Sequence, residues 1–75
     1  MTVTIRWIVY PRVVPFDTIE TERVDETDLD KLVDECAARL DEVRLRHSGR
    51  MPNGVQIVNE EGDVVRQFVD RTKPV

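Results

Sequence analysis

The stretch that decides the fold is VDETDLDKLVDECAARLDEVRLRHSGRMP, residues 24–52. Its apolar side chains recur at alternating intervals of four and three residues, which places them along one side of an α-helix. The stripe comprises Leu29, Val33, Cys36, Leu40, Val43 and His47, widened by Leu32 and Ala37. Since most of the remaining residues are charged, the segment predicts one amphipathic helix that needs a single apolar surface to lie on.

Signals at both ends delimit this helix. At the start, Asp25 is the favoured N-cap residue and Thr27 is an alternative, because either side chain can accept a hydrogen bond from the first turn. At the other end, Gly49 suits the left-handed residue that often follows a helix, and Pro52 cannot continue one. These signals predict a helix of residues 26–48, about 34 Å long at 1.5 Å per residue.

The helical spacing favours ion pairs between Glu35 and Arg39 and between Glu42 and Arg46.

Charge is unevenly distributed along the chain. The net charge of −4 argues against general affinity for nucleic acids, which depends on neutralising phosphates with Lys and Arg. Carboxylates are concentrated in residues 17–35, which contain Asp17, Glu20, Glu22, Asp25, Glu26, Asp28, Asp30, Asp34 and Glu35.

The segment before the helix has the pattern of two β-strands. In residues 2–9 nearly every second side chain is apolar, which predicts a strand with one face toward a core. Residues 18–24 are rich in β-branched side chains, and their carboxylates would discourage edge-to-edge pairing, so they predict an edge strand. The connection through residues 11–15 contains two prolines and is short enough to join these strands as a hairpin.

A second hairpin follows the helix. Residues 55–59 and 63–69 predict two strands, and Gly62 suits the left-handed position of a three-residue loop with a bulge. The elements together predict an α+β domain of order ββαββ, in which one long amphipathic helix packs on one face of a four-stranded, mainly antiparallel sheet. The chain predicts one domain of residues 1–70 with a frayed C-terminal tail of residues 71–75.

The second hairpin also predicts surplus apolar surface. The expected register places Val58 opposite Val64 and Ile57 opposite Val65. Because one helix covers only one sheet face, the apolar side chains of the other face predict an interaction surface, since exposed apolar patches of several hundred Å² commonly bind a partner. Two alternatives are that residues 13–16 cover these side chains, or that the register is shifted by one residue. The predicted interaction residues are Ile8, Tyr10, Val58, Val64 and Phe68.

Candidate residues for chemistry have simpler structural explanations. Cys36 lies among apolar residues with nothing positive to lower its pKa, so it is predicted to be a small buried side chain. His47 suits the negative end of the helix dipole and lies about 16 Å along the axis from Cys36, too far for a catalytic pair. Asp28, Asp30 and Asp34 lack the tight loop that a cation requires. The sequence predicts no catalytic, cofactor-binding or metal-binding residue, and a protein that is not an enzyme.

Composition suggests where the protein works. The single cysteine excludes an intramolecular disulfide, and no apolar run is long enough for a signal peptide or a membrane span, so a cytoplasmic protein is predicted. Nine arginines against two lysines, together with thirteen valines, suit a GC-rich bacterial or phage genome.

Three functions are compatible with these features. The leading hypothesis is a small protein–protein interaction domain that forms a homodimer or docks on a larger protein through the predicted interaction surface, with the acidic residues 17–35 and the basic helix end orienting the partner. The second is an acidic decoy that occupies the nucleic-acid-binding groove of another, possibly host, protein. The third is a single-strand nucleic-acid binder that uses Tyr10, Arg66 and Phe68 as a stacking and charged surface.

Overall fold

A computed structural model describes residues 2–9, 17–47, 49 and 51–72. The four strands form one antiparallel sheet in the order β2-β1-β3-β4, and the helix packs on one of its faces. This arrangement confirms the α+β fold of order ββαββ. The elements are β1 (Thr2–Val9), β2 (Asp17–Asp25), α1 (Leu29–Arg46), β3 (Gly54–Val58) and β4 (Val64–Val69).

The core lies between α1 and the sheet. Alternation along β1 directs Val3, Ile5 and Trp7 toward the helix, and all three are buried. The predicted helical stripe meets them, since Leu32, Cys36, Leu40 and Val43 are buried while Leu29 and Val33 are partly exposed. The face of the sheet that carries α1 is called the inner face below, and the opposite one the outer face.

The helix begins three residues later than the favoured N-cap predicts. Asp28 is the N-cap, and its carboxylate accepts a hydrogen bond of 3.0 Å from the N–H of Lys31. Asp25 instead ends β2, where it pairs with Thr2, so its backbone is committed to the sheet. The Glu26 carboxylate accepts from the two N–H groups that follow it and turns the chain between strand and helix.

The helix also ends earlier than predicted. Its C-cap is His47, whose N–H donates to the carbonyl of Arg44, and Gly49 does not adopt a left-handed conformation. With 18 residues, α1 is about 27 Å long. Since the longest dimension of the domain is 32 Å, the helix does not overhang the body as a 34 Å helix would.

The second hairpin contains a bulge that changes its register. Gly62 has φ +90°, which confirms the predicted left-handed loop residue, and Val58 lies opposite Val64 as expected. The pairing then shifts, so that Ile57 lies opposite Arg66; the predicted pair of Ile57 with Val65 is wrong. Two residues of β4 oppose one of β3 at this point, so the rest of β4 is displaced by one residue.

The helix does not lie over the middle of the sheet. Its backbone approaches β3 and β4 most closely, and the Arg66 Nε donates to Asp30 Oδ1 at 2.8 Å between β4 and the first turn of α1. Arg44, buried on the same side, donates to the carbonyl of Pro52 at 3.0 Å. The inner face of β2 and part of β1 are therefore covered by long side chains that reach out from the helix.

Candidate functional site

The five predicted interaction residues do not form one exposed face. Ile8 and Val58 lie on the outer face but are only 0 and 3% exposed. Val64 lies beside Val58 and is 46% exposed, while Tyr10 lies outside the described residues. Phe68 lies opposite Val55 on the inner face, where it packs against the core.

The placement of Phe68 on the outer face is therefore wrong, and the bulge in β4 is the reason. The alternative of a shifted register is correct for the part of β4 that follows the bulge. The other alternative, that residues 13–16 cover the outer face, concerns residues outside the described part of the chain. The role of Val64 and Phe68 in an interaction stays a prediction.

The middle of the outer face is more polar than predicted. Gln56, which is buried on β3, donates its amide to the side-chain oxygen of Gln67 on β4 at 2.9 Å. Arg6, which lies opposite Gln56 on β1, continues this row of polar residues. Because the buried amide of Gln56 is already hydrogen-bonded within the sheet, this part of the outer face is not expected to form an apolar contact with another protein.

The two edges of the sheet differ in charge. Among the described strands, β2 and β4 have one neighbour each. Five of the nine residues of β2 are charged, which is a common protection of an edge strand against pairing with another chain. In β4 only Arg66 of six residues is charged, and its side chain is engaged by Asp30 and by the carbonyl of Val65. The edge of β4 is therefore the less protected one.

Ion pairs close the boundary between α1 and β2. Arg39 reaches from the helix to Glu22 on the inner face of β2, with Nη2 and Oε1 3.2 Å apart. Its guanidinium lies over the ring of Trp7, 5.6 Å from the centroid, and so covers the core on this side. The hydrogen bond to the carboxylate of Glu22 raises the pKa of Arg39, which favours the charged guanidinium.

A second cluster lies where α1 ends. Glu20 accepts a hydrogen bond of 2.8 Å from Arg46 and forms a contact of the same length with the ring of His47. The hydrogen bond with His47, followed by the charge of Arg46, holds the pKa of the Glu20 carboxyl below its ordinary value of 4.5. The cluster ties the end of the helix to the edge strand.

The sequence did not predict these pairs. The helical spacing favours pairs of Arg39 with Glu35 and of Arg46 with Glu42, whereas both arginines bind carboxylates of β2. The available signal was the alternation of Glu20, Glu22 and Val24, which places all three on one face of a strand. Only the off-centre position of the helix explains why the arginines reach that face.

Replacement of Glu20 by glutamine tests this cluster. Because its pKa is lowered by folding, Glu20 stabilises the native state above pH 4.5, and this contribution is lost as the pH falls through the lowered value. We expect Glu20→Gln to lower the free energy of unfolding by about 0.5 to 1 kcal/mol at pH 7 and by much less at pH 3. Urea unfolding at both pH values measures this difference. Glu61→Gln, in the exposed hairpin loop, should change neither; an equal loss at pH 3 and pH 7 would contradict the assignment.

The boundary between α1 and β4 is crossed at the helix start by the exposed ion pair of Arg66 with Asp30. The rest of this boundary is not closed by ion pairs from the helix. It is lined by apolar side chains that pack against the core and remain partly exposed, here called the apolar seam: Leu29, Val33, Val65 and Phe68. At one end of the seam a depression of about 310 Å³ opens between the helix start and the second hairpin, lined by Leu29, Val65, Asn59, Glu60 and Glu61. This side of the domain thus combines incompletely covered apolar surface with the less protected edge.

The residues considered for chemistry have structural roles. Cys36 is fully buried in the core, as predicted, and burial raises the pKa of its thiol to about 11, far from the range of a nucleophilic cysteine. Asp28 caps the helix and Asp30 binds Arg66. The described residues bring no three histidine, cysteine or carboxylate side chains together as a metal site would require. Within the same residues, no helix has the length and apolar content needed to cross a membrane.

No family model matches the chain, and neither curated proteins nor solved structures include one with significant similarity.

Proposed function

We propose that this protein is a protein-binding domain whose binding surface is the β4 side: the edge of β4 together with the apolar seam. The observation that carries the proposal is the difference between the two sides of the helix. Ion pairs from Arg39 and Arg46 close the β2 side, whereas on the β4 side partly exposed apolar side chains line the boundary beyond the exposed pair of Arg66 with Asp30. Incompletely buried apolar groups beside an edge strand are typical of surfaces that bind another polypeptide.

The main chain of β4 supports strand addition at this edge. Asp70 donates its N–H to the carbonyl of Asn53 at 2.8 Å, so its peptide group points toward β3. Because the direction alternates along a strand, the peptide groups of Phe68 and Arg66 also point toward β3, and those of Gln67 and Val69 point away from it. A partner strand would meet these outward groups and lay its side chains against the seam.

The acidic-decoy hypothesis has less support from the contacts within the domain. Glu20 and Glu22 bind helix arginines, Asp28 caps the helix, Asp30 binds Arg66 and Glu35 lies 3.9 Å from Lys31. These carboxylates point in different directions and have partners of their own. They do not present a row of acidic groups with the spacing of phosphates.

The nucleic-acid hypothesis also has less support. It requires Arg66 and Phe68 on an open sheet face, beside Tyr10. Phe68 packs against the core on the inner face, and Arg66 binds Asp30. A protein-binding surface on the β4 side is compatible with these positions of Phe68 and Arg66.

A photo-crosslinking amino acid in place of Val64 tests the proposal. Val64 lies on β4 and is half exposed, so replacement by p-benzoylphenylalanine should be tolerated. The matched control is the same replacement of Thr21, an exposed residue in the middle of β2. In cells that make the protein at its natural level, irradiation should give a discrete protein adduct from position 64 and none from position 21. Adducts of equal yield from both positions, or none from position 64, would overturn the proposal.

A further inference from the structure

We infer that the partner is a second copy of this chain, bound by antiparallel pairing of β4 with β4 about a twofold axis that passes through Phe68. The inference rests on the proposed function, because it assigns an occupant to the same surface. The pairing would join two four-stranded sheets into one sheet of eight strands with both helices on the same face.

The bulge selects the register. A twofold axis perpendicular to the sheet pairs residues whose side chains lie on the same face. The axis must therefore pass beside a residue of β4 and not between two residues. The regular part of β4 begins after the bulge at Arg66 and continues to Asp70, which still bonds to Asn53. The middle residue of this regular segment is Phe68.

Main-chain hydrogen bonds fit that register. With the axis at Phe68, Gln67 of one copy lies opposite Val69 of the other, and these are the residues whose peptide groups point away from β3. In an antiparallel sheet such opposed residues exchange both N–H···O=C bonds, so the two Gln67–Val69 pairs of the dimer would form four. The two Phe68 side chains would meet at the axis, within the seam.

Charge complementarity favours self-pairing at β4 and opposes it at β2. In the inferred register, Arg66 of one copy lies opposite Asp70 of the other, twice in the dimer. Arg66 has five N–H groups, of which two donate to Asp30 and Val65, so it can also face a second carboxylate. At the other edge, antiparallel pairing of β2 about its middle residue would set Glu20 against Glu22, and opposed like charges destabilise a strand pair.

The helices would also come into contact. Since α1 lies over β3 and β4, its axis is displaced from β4 by about half the strand spacing of 4.8 Å. Pairing of β4 with β4 then separates the two helix axes by about 10 Å, the distance at which helices pack. The flanks that face each other carry Val33 and Ala37 together with Asp30 at the helix start and the buried Arg44, so the seam of each copy would be covered by the other.

Disulfide cross-linking tests the register directly. A mixture of the Gln67→Cys and Val69→Cys variants should form the mixed 67–69 disulfide dimer, because opposed residues in a hydrogen-bonded pair have Cα atoms about 5.5 Å apart, suitable for a disulfide. The native Cys36 is buried, so it should contribute little background. Predominant 67–67 dimers would overturn the Phe68-centred register. Thr21→Cys, on β2, is the matched control and should not form a disulfide-linked dimer; circular dichroism checks that each variant is folded.

Light scattering tests whether a second copy of the chain binds, without any cross-link. From about 5 to about 500 µM the mass should rise toward twice the monomer mass of 8.7 kDa. Arg66→Asp and Asp70→Arg should each weaken the dimer about fivefold, and the double variant should recover most of the affinity. A monomer at every concentration would overturn this inference. If position 64 still cross-linked to a different protein, the proposed function would nevertheless stand, so the two failures are distinguishable.

Discussion

Replacement of Trp7 by alanine is expected to lower the free energy of unfolding by about 3 to 5 kcal/mol. The side chain is fully buried on the inner face of β1, where it belongs to the core and lies under the guanidinium of Arg39. A domain of 75 residues has a total stability of roughly 4 to 11 kcal/mol, so most of it should be lost. Circular dichroism during urea unfolding measures the change. Because Trp7 is the only tryptophan, fluorescence cannot be used for the variant.

Trp7→Phe is the matched variant. The indole Nε1 of Trp7 is buried and has no hydrogen-bond acceptor among the described residues. Phenylalanine removes this unpaired N–H, which offsets part of the lost packing, so we expect a cost of about 1 to 2 kcal/mol. A loss below about 1 kcal/mol for Trp7→Ala would mean that the residue is not part of the folding core.

Replacement of Gly54 by alanine is expected to cost about 2 kcal/mol or more, although it adds only one methyl group. The added Cβ would lie 2.8 Å from the carbonyl oxygen of Phe68 and 3.0 Å from a methyl group of Val69. Because the closest atom belongs to the neighbouring main chain, the clash is relieved only by moving β3 and β4 apart. Urea unfolding measures the loss, and hydrogen exchange should show reduced protection of amides in β4.

Gly49→Ala provides the control for that substitution. An added Cβ at position 49 meets nothing within 4 Å, and its backbone is not left-handed. The free energy of unfolding should therefore change by no more than about 0.5 kcal/mol. Equal effects at positions 49 and 54 would show that the close approach of β3 and β4 at Gly54 is relieved without cost.

The architecture was predictable because it follows from periodicity. The period of two in β1 and the intervals of four and three from Leu29 to Val43 place the same residues in the core that the structure buries. Gly62 was also predictable, since a left-handed residue in a short hairpin loop strongly favours glycine. These features depend on residues that are close together in the sequence, so they can be predicted from a single sequence.

The errors concern competition between partners that are distant in sequence. Asp25 is a good N-cap by type, but its pairing with Thr2 keeps it in the sheet and leaves capping to Asp28. Arg39 is well spaced for Glu35, yet it binds Glu22 because of where the helix lies. The bulge beside Val65 has no signature in residue type and moved Phe68 to the inner face. Phe68 was therefore assigned to the correct strand but to the wrong face of the sheet.

The bulge makes the length of the second hairpin as important as its composition. The loop through Gly62 can change in sequence as long as its left-handed residue remains, because its side chains face solvent. Gain of one residue between Val58 and Arg66, with the bulge kept, would instead place Gln67 opposite Val55 and turn it toward the core in place of Phe68. Natural variation in this hairpin should therefore consist of substitutions, while single-residue insertions between β3 and β4 are selected against.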